Sequence, residues 1–361
     1  MSIIIFIIIL LVLIVTHEWG HFIVAKLFKI RVDEFGIGFP PRIKKMFHYK
    51  GTDYTLNWIP FGGFVKIYGE NYDSVVGQNG VTPKDSFVSK PKYVQALVLI
   101  AGIVMNFLVG WLLISFTLLG GVTASTADLD DSYIQSEPQL MVIDTIPHSP
   151  AEIAGIMGGD IITSLSTDDD SDTSVTSESL IHFINEHKTS ELTVTVKRNK
   201  ETFFYLIQPS IDENGDAKIG ISMDTVSQVK LPFFRAFTQG MKTTLYTTKQ
   251  IITGFVGLFS GGTNLSSVTG PVGIAGIIGD AARIGFAQVL SLMAIISLNL
   301  AVINLVPFPA LDGGRLLFVG IEAVTRKQVP LKVFQWANTI GFFILIALMI
   351  LVTVRDVIHL F

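Results

Sequence analysis

Long apolar runs alternate with polar segments along the chain, and four of these runs are candidates for membrane-spanning helices. They cover residues of about 2–25, 93–119, 287–306 and 336–354. At about 1.5 Å per residue, each run is near the length that crosses a hydrocarbon core of about 30 Å. The pattern therefore predicts a polytopic α-helical membrane protein with about four transmembrane helices.

A cleaved signal peptide is the alternative for the first run. The run has no basic segment before it, and it leads directly into His17 without a small-residue cleavage site. We therefore expect the first run to remain as a transmembrane helix.

Composition agrees with the pattern. Hydrophobic residues make up 49% of the chain and charged residues only 16%, whereas soluble domains average about 25% charged residues. Cysteine is absent, which excludes disulfides and thiolate metal ligands. Basic residues form no dense stripe, so we expect no nucleic acid partner.

The charges in the connecting segments predict an orientation in the membrane. Basic residues are concentrated between the first and second runs, at Lys26, Lys29, Arg31, Arg42, Lys44, Lys45, Lys50, Lys66, Lys84, Lys90 and Lys92, and after the third run, at Arg315, Arg326, Lys327 and Lys332. The segment after the second run is instead acidic, with Asp128, Asp130, Asp131, Asp168, Asp169, Asp170 and Asp172. The positive-inside rule then places the basic segments in the cytoplasm, and the acidic segment and both termini outside.

The segment 226–285 fits this scheme less simply. Apolar residues between 231 and 284 are interrupted by Lys242 and Lys249. This pattern predicts an amphipathic linker whose helix lies on the outer membrane surface. A fifth span is the alternative, but it would reverse the orientation of everything after it.

The motif His17-Glu18-Trp19-Gly20-His21 carries the first candidate chemistry. On a helix, residues i and i+4 share a face, so His17 and His21 can bind one metal ion while Glu18 serves as a general base. Two surface histidines beside an exposed glutamate are the ordinary alternative. Ionisable residues inside an apolar span are expensive and usually functional, which favours the metal site.

A third metal ligand is expected at the same depth, and Asp312 is the best candidate. It follows the third apolar run within Asn304-Leu305-Val306-Pro307-Phe308-Pro309-Ala310-Leu311-Asp312-Gly313-Gly314. Two prolines end or kink a helix, and paired glycines permit a tight turn. Irregular backbone at membrane depth is tolerated where it lines a protein-facing or wet cavity. A plain helix-end turn is the alternative for Asp312.

The two motifs together resemble the site-2 protease family of intramembrane zinc metalloproteases, the peptidase M50 type, close to its bacterial regulator-of-sigma-E protease branch. The segment 304–314 resembles the family motif N-x-x-P-x-P-x-L-D-G at every fixed position. Ala101-Gly102, Asn106-Phe107 and the stretch 270–275 are further matches. The resemblance implies Zn²⁺ on His17, His21 and Asp312, with Glu18 as the catalytic base. It also suggests that Asn304 contacts the substrate backbone or stabilises developing negative charge.

The segment of about 51–68 is rich in β-branched and aromatic residues and predicts a β-hairpin with a turn signal at Gly62-Gly63. The resemblance implies that this hairpin dips into the membrane and pairs with substrate, which assigns substrate binding to Gly62, Gly63, Phe64 and Val65. An ordinary cytoplasmic hairpin is the alternative. Backbone pairing at a strand edge would hold a transmembrane helix once it is locally unwound.

The acidic segment 123–225 resembles a single α+β PDZ domain. Residues 140–146 alternate as a strand, Ser149-Pro150-Ala151-Glu152 opens a helix, and a second helix is predicted over 177–187 with Ser177 as N-cap. Ile219-Gly220-Ile221 resembles the carboxylate-binding loop and groove strand of a circularly permuted PDZ fold. Peptide capture and simple exclusion of bulky substrates remain alternatives for this groove. Relatives in this branch commonly carry two such domains, but this chain has room for one.

The predicted organisation has four parts: 1–122 with the first two helices, the HEWGH motif and the hairpin; 123–225 as the PDZ-like domain; 226–285 as the linker; and 286–361 with the last two helices. The predicted function is a zinc metalloendopeptidase of the bacterial inner membrane, cutting single-span membrane proteins such as anti-sigma factors or remnant signal peptides in regulated intramembrane proteolysis. Its partners are these transmembrane substrates and the lipid bilayer, and its active site lies near the cytoplasmic face. The alternatives are a non-catalytic PDZ-type scaffold and a metal transporter. A scaffold needs no metal triad, and a transporter needs polar residues across the full membrane depth.

Overall fold

The fold was taken from a computed structural model, which describes residues 2–70, 83–125, 133–146, 149–198, 201–212, 215–260 and 269–359. The predicted acidic positions Asp128, Asp130 and Asp131 lie outside these described residues. The chain divides into two compact units. We call residues 1–117 and 234–361 the helical unit, and residues 118–233 the sheet unit.

The helices follow one another in chain order. They are α1 (Ser2–Leu27), α2 (Lys92–Gly120), α3 (Pro150–Ala154), α4 (Ser177–Glu186), α5 (Phe233–Ser260), α6 (Pro271–Ile284), α7 (Phe286–Leu305), α8 (Asp312–Thr325) and α9 (Leu331–His359).

The strands form one hairpin in the helical unit and the sheets of the other unit. They are β1 (Val32–Tyr49), β2 (Thr52–Ile67), β3 (Val122–Ser125), β4 (Gln139–Thr145), β5 (Ile161–Ser166), β6 (Ser171–Asp172), β7 (Leu192–Arg198), β8 (Glu201–Ile207), β9 (Ser210–Ile211), β10 (Ala217–Lys218) and β11 (Ile221–Val229).

Four helices among the described residues are long and apolar enough to cross a membrane: Ile3–Leu27, Lys92–Gly120, Phe286–Leu305 and Leu331–Ile358. They coincide with the four predicted spans and confirm a polytopic membrane protein. The predicted linker 226–285 contains the end of β11 and the two helices α5 and α6. Neither helix is among the four candidate spans of the described residues.

Small residues bring the helices of the helical unit close together. A Cβ added at Gly20 of α1 would lie 2.4 Å from the Ala101 carbonyl oxygen of α2, and one added at Gly110 would lie 2.6 Å from Cδ2 of Leu298 on α7. In lipid, where burying apolar side chains against each other gains little, such close backbone packing is what holds helices together. The glycines therefore set the spacing of α1, α2 and α7.

The β-hairpin is longer than predicted and has a further turn at residues 50–51. β1 pairs antiparallel with β2, and Tyr49 lies opposite Thr52. The two connecting residues, Lys50 and Gly51, have φ values of 47° and 77°, as a type I′ turn requires. The predicted bounds of about 51–68 are therefore wrong, because the pairing begins at Val32. Residues 53–56 and 63–66 pair with the same residues 34–37 in opposite directions, so the chain also reverses between Leu56 and Gly63, beside the predicted turn at Gly62-Gly63.

The sheet unit contains a main sheet with the strand order β3-β11-β4-β5-β7-β8, and β6 pairs with β5. Alternate residues Leu192, Val194 and Val196 of β7 are fully buried, which is the period of two expected for a strand with one face on a core. Helix α4 begins at Ser177, and its N-cap is Thr176, whose side chain accepts from the Ser179 amide. The prediction of Ser177 as N-cap is therefore wrong by one residue.

Candidate metal centre

Helix α1 carries the first part of the site. The rings of His17 and His21 are buried on one face of the helix, as residues four apart should be. Their Nε2 atoms lie 3.2 Å apart. The apolar residues 2–15 precede this site, so the two histidines lie within a candidate membrane span.

The second part of the site comes from the junction between α7 and α8. Helix α7 ends at Leu305, and Asp312 begins α8. Its Oδ2 lies 2.9 Å from Nε2 of His17 and 3.2 Å from Nε2 of His21. Three side chains that are far apart in sequence therefore converge on one point.

The two glycines after Asp312 allow this junction to fold tightly. A Cβ at Gly313 would lie 2.3 Å from the Val306 carbonyl oxygen, and one at Gly314 would lie 2.2 Å from that of Phe308. Neither glycine has a positive φ. They act by close approach of backbone to backbone, rather than by the turn conformation that the sequence suggested.

The donor set fits a zinc ion. Ligands at about 2.0–2.1 Å in a tetrahedron lie roughly 3.3 Å from one another, and the three observed separations are 2.9, 3.2 and 3.2 Å. Two imidazoles and one carboxylate, with no cysteine available, match the three-ligand pattern of catalytic zinc with a free fourth position. His17, His21 and Asp312 are the residues that could hold the ion.

Helix α2 orients both histidines. His21 Nδ1 lies 2.7 Å from the Val98 carbonyl oxygen, and the Asn106 amide nitrogen lies 3.2 Å from Nδ1 of His17. Between them, a Cβ at Gly102 would lie 2.4 Å from Nε2 of His21. In the sequence, Gly102 and Asn106 stand out only as matches to a family pattern. Their four-residue spacing in an apolar helix is the signal that could have assigned them to this face.

Glu18 lies beside the three donors and contacts the hairpin. Its Oε2 accepts a hydrogen bond of 3.1 Å from the Val65 main-chain amide of β2. Gly63 also faces this region, because a Cβ there would lie 3.3 Å from Val15 Cγ2 and 3.9 Å from Glu18 Cγ. The structure therefore brings the predicted base and the predicted substrate-binding strand together.

The family model for peptidase family M50 matches residues 5–348 of this chain. The chain belongs to peptidase family M50. This M50 chain is 35% identical over 349 residues to a Clostridium perfringens protein whose name describes a zinc metalloprotease, with 96% of this chain and 95% of the relative covered. A similarly named Fusobacterium nucleatum protein is 32% identical with 100% of both chains covered. Zinc metalloprotease RasP of Oceanobacillus iheyensis is 30% identical, with 100% of this chain and 99% of the relative covered.

These matches confirm several of the predictions made from the sequence. The predicted family, the predicted metalloprotease activity and the predicted Zn²⁺ cofactor are confirmed. The apolar helices and the family together confirm a membrane protein. The assignment of individual residues to ligation, catalysis and substrate binding remains a prediction.

The remaining predicted residues of the M50 chain lie at two places. Asn304 is half-buried in the last turn of α7, and within the described residues its amide has no hydrogen bond to the three donors. Ile219-Gly220-Ile221 lies in the sheet unit, where Ile219 is buried and Ile221 begins β11. Phe64 lies opposite Gly36 in the hairpin ladder.

An ion pair that sequence analysis did not single out lies one turn beyond Asp312. The Arg315 guanidinium donates to the Glu70 carboxylate, which follows β2. The Glu70 charge raises the pKa of Arg315 above its ordinary value, so the guanidinium stays protonated. A cavity of about 310 Å³ adjoins this pair, and its lining also includes Gln95 and Phe318. The ion pair therefore ties α8 to the end of the hairpin beside the donors.

Proposed function

We propose that this membrane metalloprotease hydrolyses peptide bonds in or beside the transmembrane segments of single-span membrane proteins, in regulated intramembrane proteolysis. Anti-sigma factors and remnant signal peptides are the proposed substrates. The observation that carries the proposal is that the donor triad of His17, His21 and Asp312 includes two residues of an apolar helix long enough to span a membrane. A site at that position serves a substrate that is itself within the bilayer.

We assign the residues as follows. His17, His21 and Asp312 hold the zinc ion, and Glu18 is the general base. Zinc in such a site supplies Lewis-acid activation of water and of the peptide carbonyl. Glu18 accepts the proton of the attacking water and then delivers it to the leaving nitrogen, because a carboxylate adjacent to the reacting atoms can serve in both directions.

The outer edge of β2 is the proposed place for the unwound substrate. The Val65 amide donates to Glu18, so the edge of β2 that carries this amide faces the base. A substrate strand that pairs with Gly62, Gly63, Phe64 and Val65 would lie within hydrogen-bond reach of Glu18. Asn304, half-buried at the end of α7, is proposed to contact the same substrate backbone.

The sheet unit is proposed to be a PDZ-like domain with a groove between α4 and β11. β3 pairs with Val226–Val229 of β11, so residues 221–225 leave one edge uncovered by β3. Gly220 approaches Ser149 so closely that an added Cβ would lie 2.3 Å from the serine Cβ. This packing supports a loop position for Ile219 and Gly220 beside Ile221. Tighter binding of a peptide with a free carboxylate than of its amidated form would support capture, and no binding of either would favour the size filter.

The proposed location is the bacterial inner membrane, with the site near the cytoplasmic face and the sheet unit outside. The distribution of basic residues in the connecting segments supports this orientation. Because the chain has no cysteine, a single introduced cysteine reports on which side of the membrane its position lies. Asp168→Cys should react with an impermeant thiol reagent added outside intact cells, and Lys45→Cys should react only after permeabilisation. The reverse pattern would overturn the proposed orientation.

The catalytic proposal is tested with purified protein and a model substrate that has one transmembrane segment. A zinc chelator should abolish cleavage, and added zinc should restore it. Glu18→Gln should retain bound zinc without cleavage, whereas Asp312→Ala should lose zinc. His182→Ala is the matched control, because His182 is exposed in the sheet unit and outside the triad. Cleavage by Glu18→Gln, or unchanged zinc content in Asp312→Ala, would refute the assigned roles.

A further inference from the structure

One face of α2 is arranged around the two histidines. Val98, Gly102, Asn106 and Gly110 recur every four residues, which places them on one side of the helix. Gly102 leaves room for the histidine rings, and Gly110 leaves room for Leu298 of α7. Asn106 therefore lies where α1, α2 and α7 meet, and it is fully buried.

Asn106 has an unusual hydrogen-bond environment. Its amide nitrogen is 3.2 Å from Nδ1 of His17, while its side-chain oxygen is buried and has no hydrogen-bond partner among the described residues. Its main-chain carbonyl accepts a hydrogen bond of 2.8 Å from the buried Ser297 hydroxyl, which links it to α7. A buried amide oxygen without a donor costs free energy, so a partner for it is expected.

The protonation state that metal binding requires of His17 identifies the hydrogen-bond partner of the Asn106 oxygen. Nε2 of His17 faces Nε2 of His21 and Oδ2 of Asp312, so it is the nitrogen that offers a lone pair to a cation. The hydrogen of the neutral ring is then on Nδ1, which must donate. An amide nitrogen is also a donor, so the nitrogen and oxygen of Asn106 are better exchanged by rotating the amide about Cβ–Cγ.

We propose that Asn106 is a positioning residue for the metal centre: its side-chain oxygen accepts the Nδ1 hydrogen of His17. This contact fixes the ring plane and the tautomer in which Nε2 faces Asp312, as acceptors behind metal-binding histidines do elsewhere. The inference rests on the proposed assignment of His17 as a zinc ligand.

The two histidines differ in how they are held. His21 donates from Nδ1 to the main-chain carbonyl of Val98 at 2.7 Å, and no side-chain substitution removes that acceptor. His17 depends on one side chain. Substitution at Asn106 therefore weakens one ligand selectively and leaves the other in place.

The test measures zinc affinity by competition with a chromophoric chelator, in detergent, without reference to proteolysis. Asn106→Leu keeps the size of the side chain but removes the acceptor, and we expect zinc binding about 10- to 100-fold weaker. Asn106→Asp keeps an acceptor oxygen, and we expect it to bind zinc at least as tightly as the wild type. Asn299→Leu is the control, because among the described residues its amide hydrogen-bonds within α7, to the Ile295 carbonyl at 3.0 Å.

Nitrogen-15 NMR of the zinc-loaded wild type gives a measurement that does not depend on any variant folding. His17 should show a metal-bound Nε2 and a protonated, hydrogen-bonded Nδ1. A deprotonated Nδ1, or wild-type affinity in Asn106→Leu while His17→Ala loses zinc, would overturn this proposal and leave the catalytic one standing. Equal zinc loss in the Leu and Asp variants would assign Asn106 a packing role and would also overturn it. Wild-type protein without zinc at His17 would instead refute the proposed function itself.

Discussion

Gly102→Ala is the sharpest single test of how the two histidines are held against α2. The added Cβ would lie 2.4 Å from Nε2 of His21 and 2.8 Å from Cε1 of His17. Ordinary contact between such atoms needs about 3.5 Å, so the rings must move by roughly 1 Å or the helices must separate by that amount. Metal–ligand distances tolerate only about 0.2 Å. We therefore expect zinc affinity to fall by about 100-fold or more.

The assay compares two alanine variants of the same helix. Gly120→Ala is the matched control, because no atom of the described residues lies within 4 Å of a Cβ at that position. Zinc content is measured after equilibration with a graded series of zinc buffers, and thermal unfolding is measured separately on zinc-free protein. Overpacking at Gly102 should cost about 1–3 kcal/mol of stability, which this second measurement separates from the loss of metal.

The reasoning would be refuted by a Gly102→Ala variant that folds and binds zinc as the wild type does. Such a result would mean that the rings do not lie against α2. Loss of zinc in the Gly120→Ala control would equally count against it, because that substitution meets no neighbour. The informative result is therefore the difference between the two glycines.

Three further substitutions test contacts outside the donor triad, each followed by hydrogen–deuterium exchange of the full chain. Asp160→Ala removes a fully buried carboxylate that accepts a hydrogen bond from Nε of Arg198 at 2.6 Å. Because the guanidinium is partly exposed, we expect the folded state to lose about 2 kcal/mol of stability and amide exchange in β7 to become faster. Unchanged exchange in β7 would contradict this. Asp356→Ala removes the carboxylate that accepts hydrogen bonds from two main-chain amides at the start of α6, at 3.1 and 2.8 Å. The amides in the first turn of α6 should therefore lose about 1 kcal/mol of protection against exchange. Gly51→Ala places a side chain at a φ of 77°, which is strained for any residue with a Cβ. The hairpin should therefore lose about 1–2 kcal/mol of stability. Full protection of its amides against exchange would argue against the type I′ turn.

The hairpin shows what local sequence signals left out. Gly62-Gly63 signals a turn by composition, and the chain does reverse between Leu56 and Gly63, but it also turns at Lys50 and Gly51. Gly62 has a φ of 135°, whereas Gly63 serves close packing, because an added Cβ there would lie 2.9 Å from the Gly36 carbonyl oxygen. A glycine required for close packing and a glycine required for a turn are identical in sequence. Only the neighbours distinguish them.

At the candidate metal centre, sequence reasoning indicated which side chains lie close together in the fold. His17 and His21 are four residues apart on a helix, so their common face followed from helix geometry alone. Asp312 followed from the expectation that a third ligand lies at equal depth in a parallel span, and the structure brings it to 2.9 Å from His17. The bilayer makes this inference strong, because an apolar span tolerates few ionisable residues without a function.

The sequence by itself determined the four apolar spans, the shared face of His17 and His21, and the choice of Asp312 as the residue expected beside them. Each follows from a local period or from the cost of placing charge in lipid. The tertiary structure alone decided that Val98, Gly102 and Asn106 support the histidines and that Val65 donates to Glu18. These contacts join helices and strands that are distant in the chain. Their geometry depends on how closely backbones approach one another, and no local pattern of side chains encodes that distance.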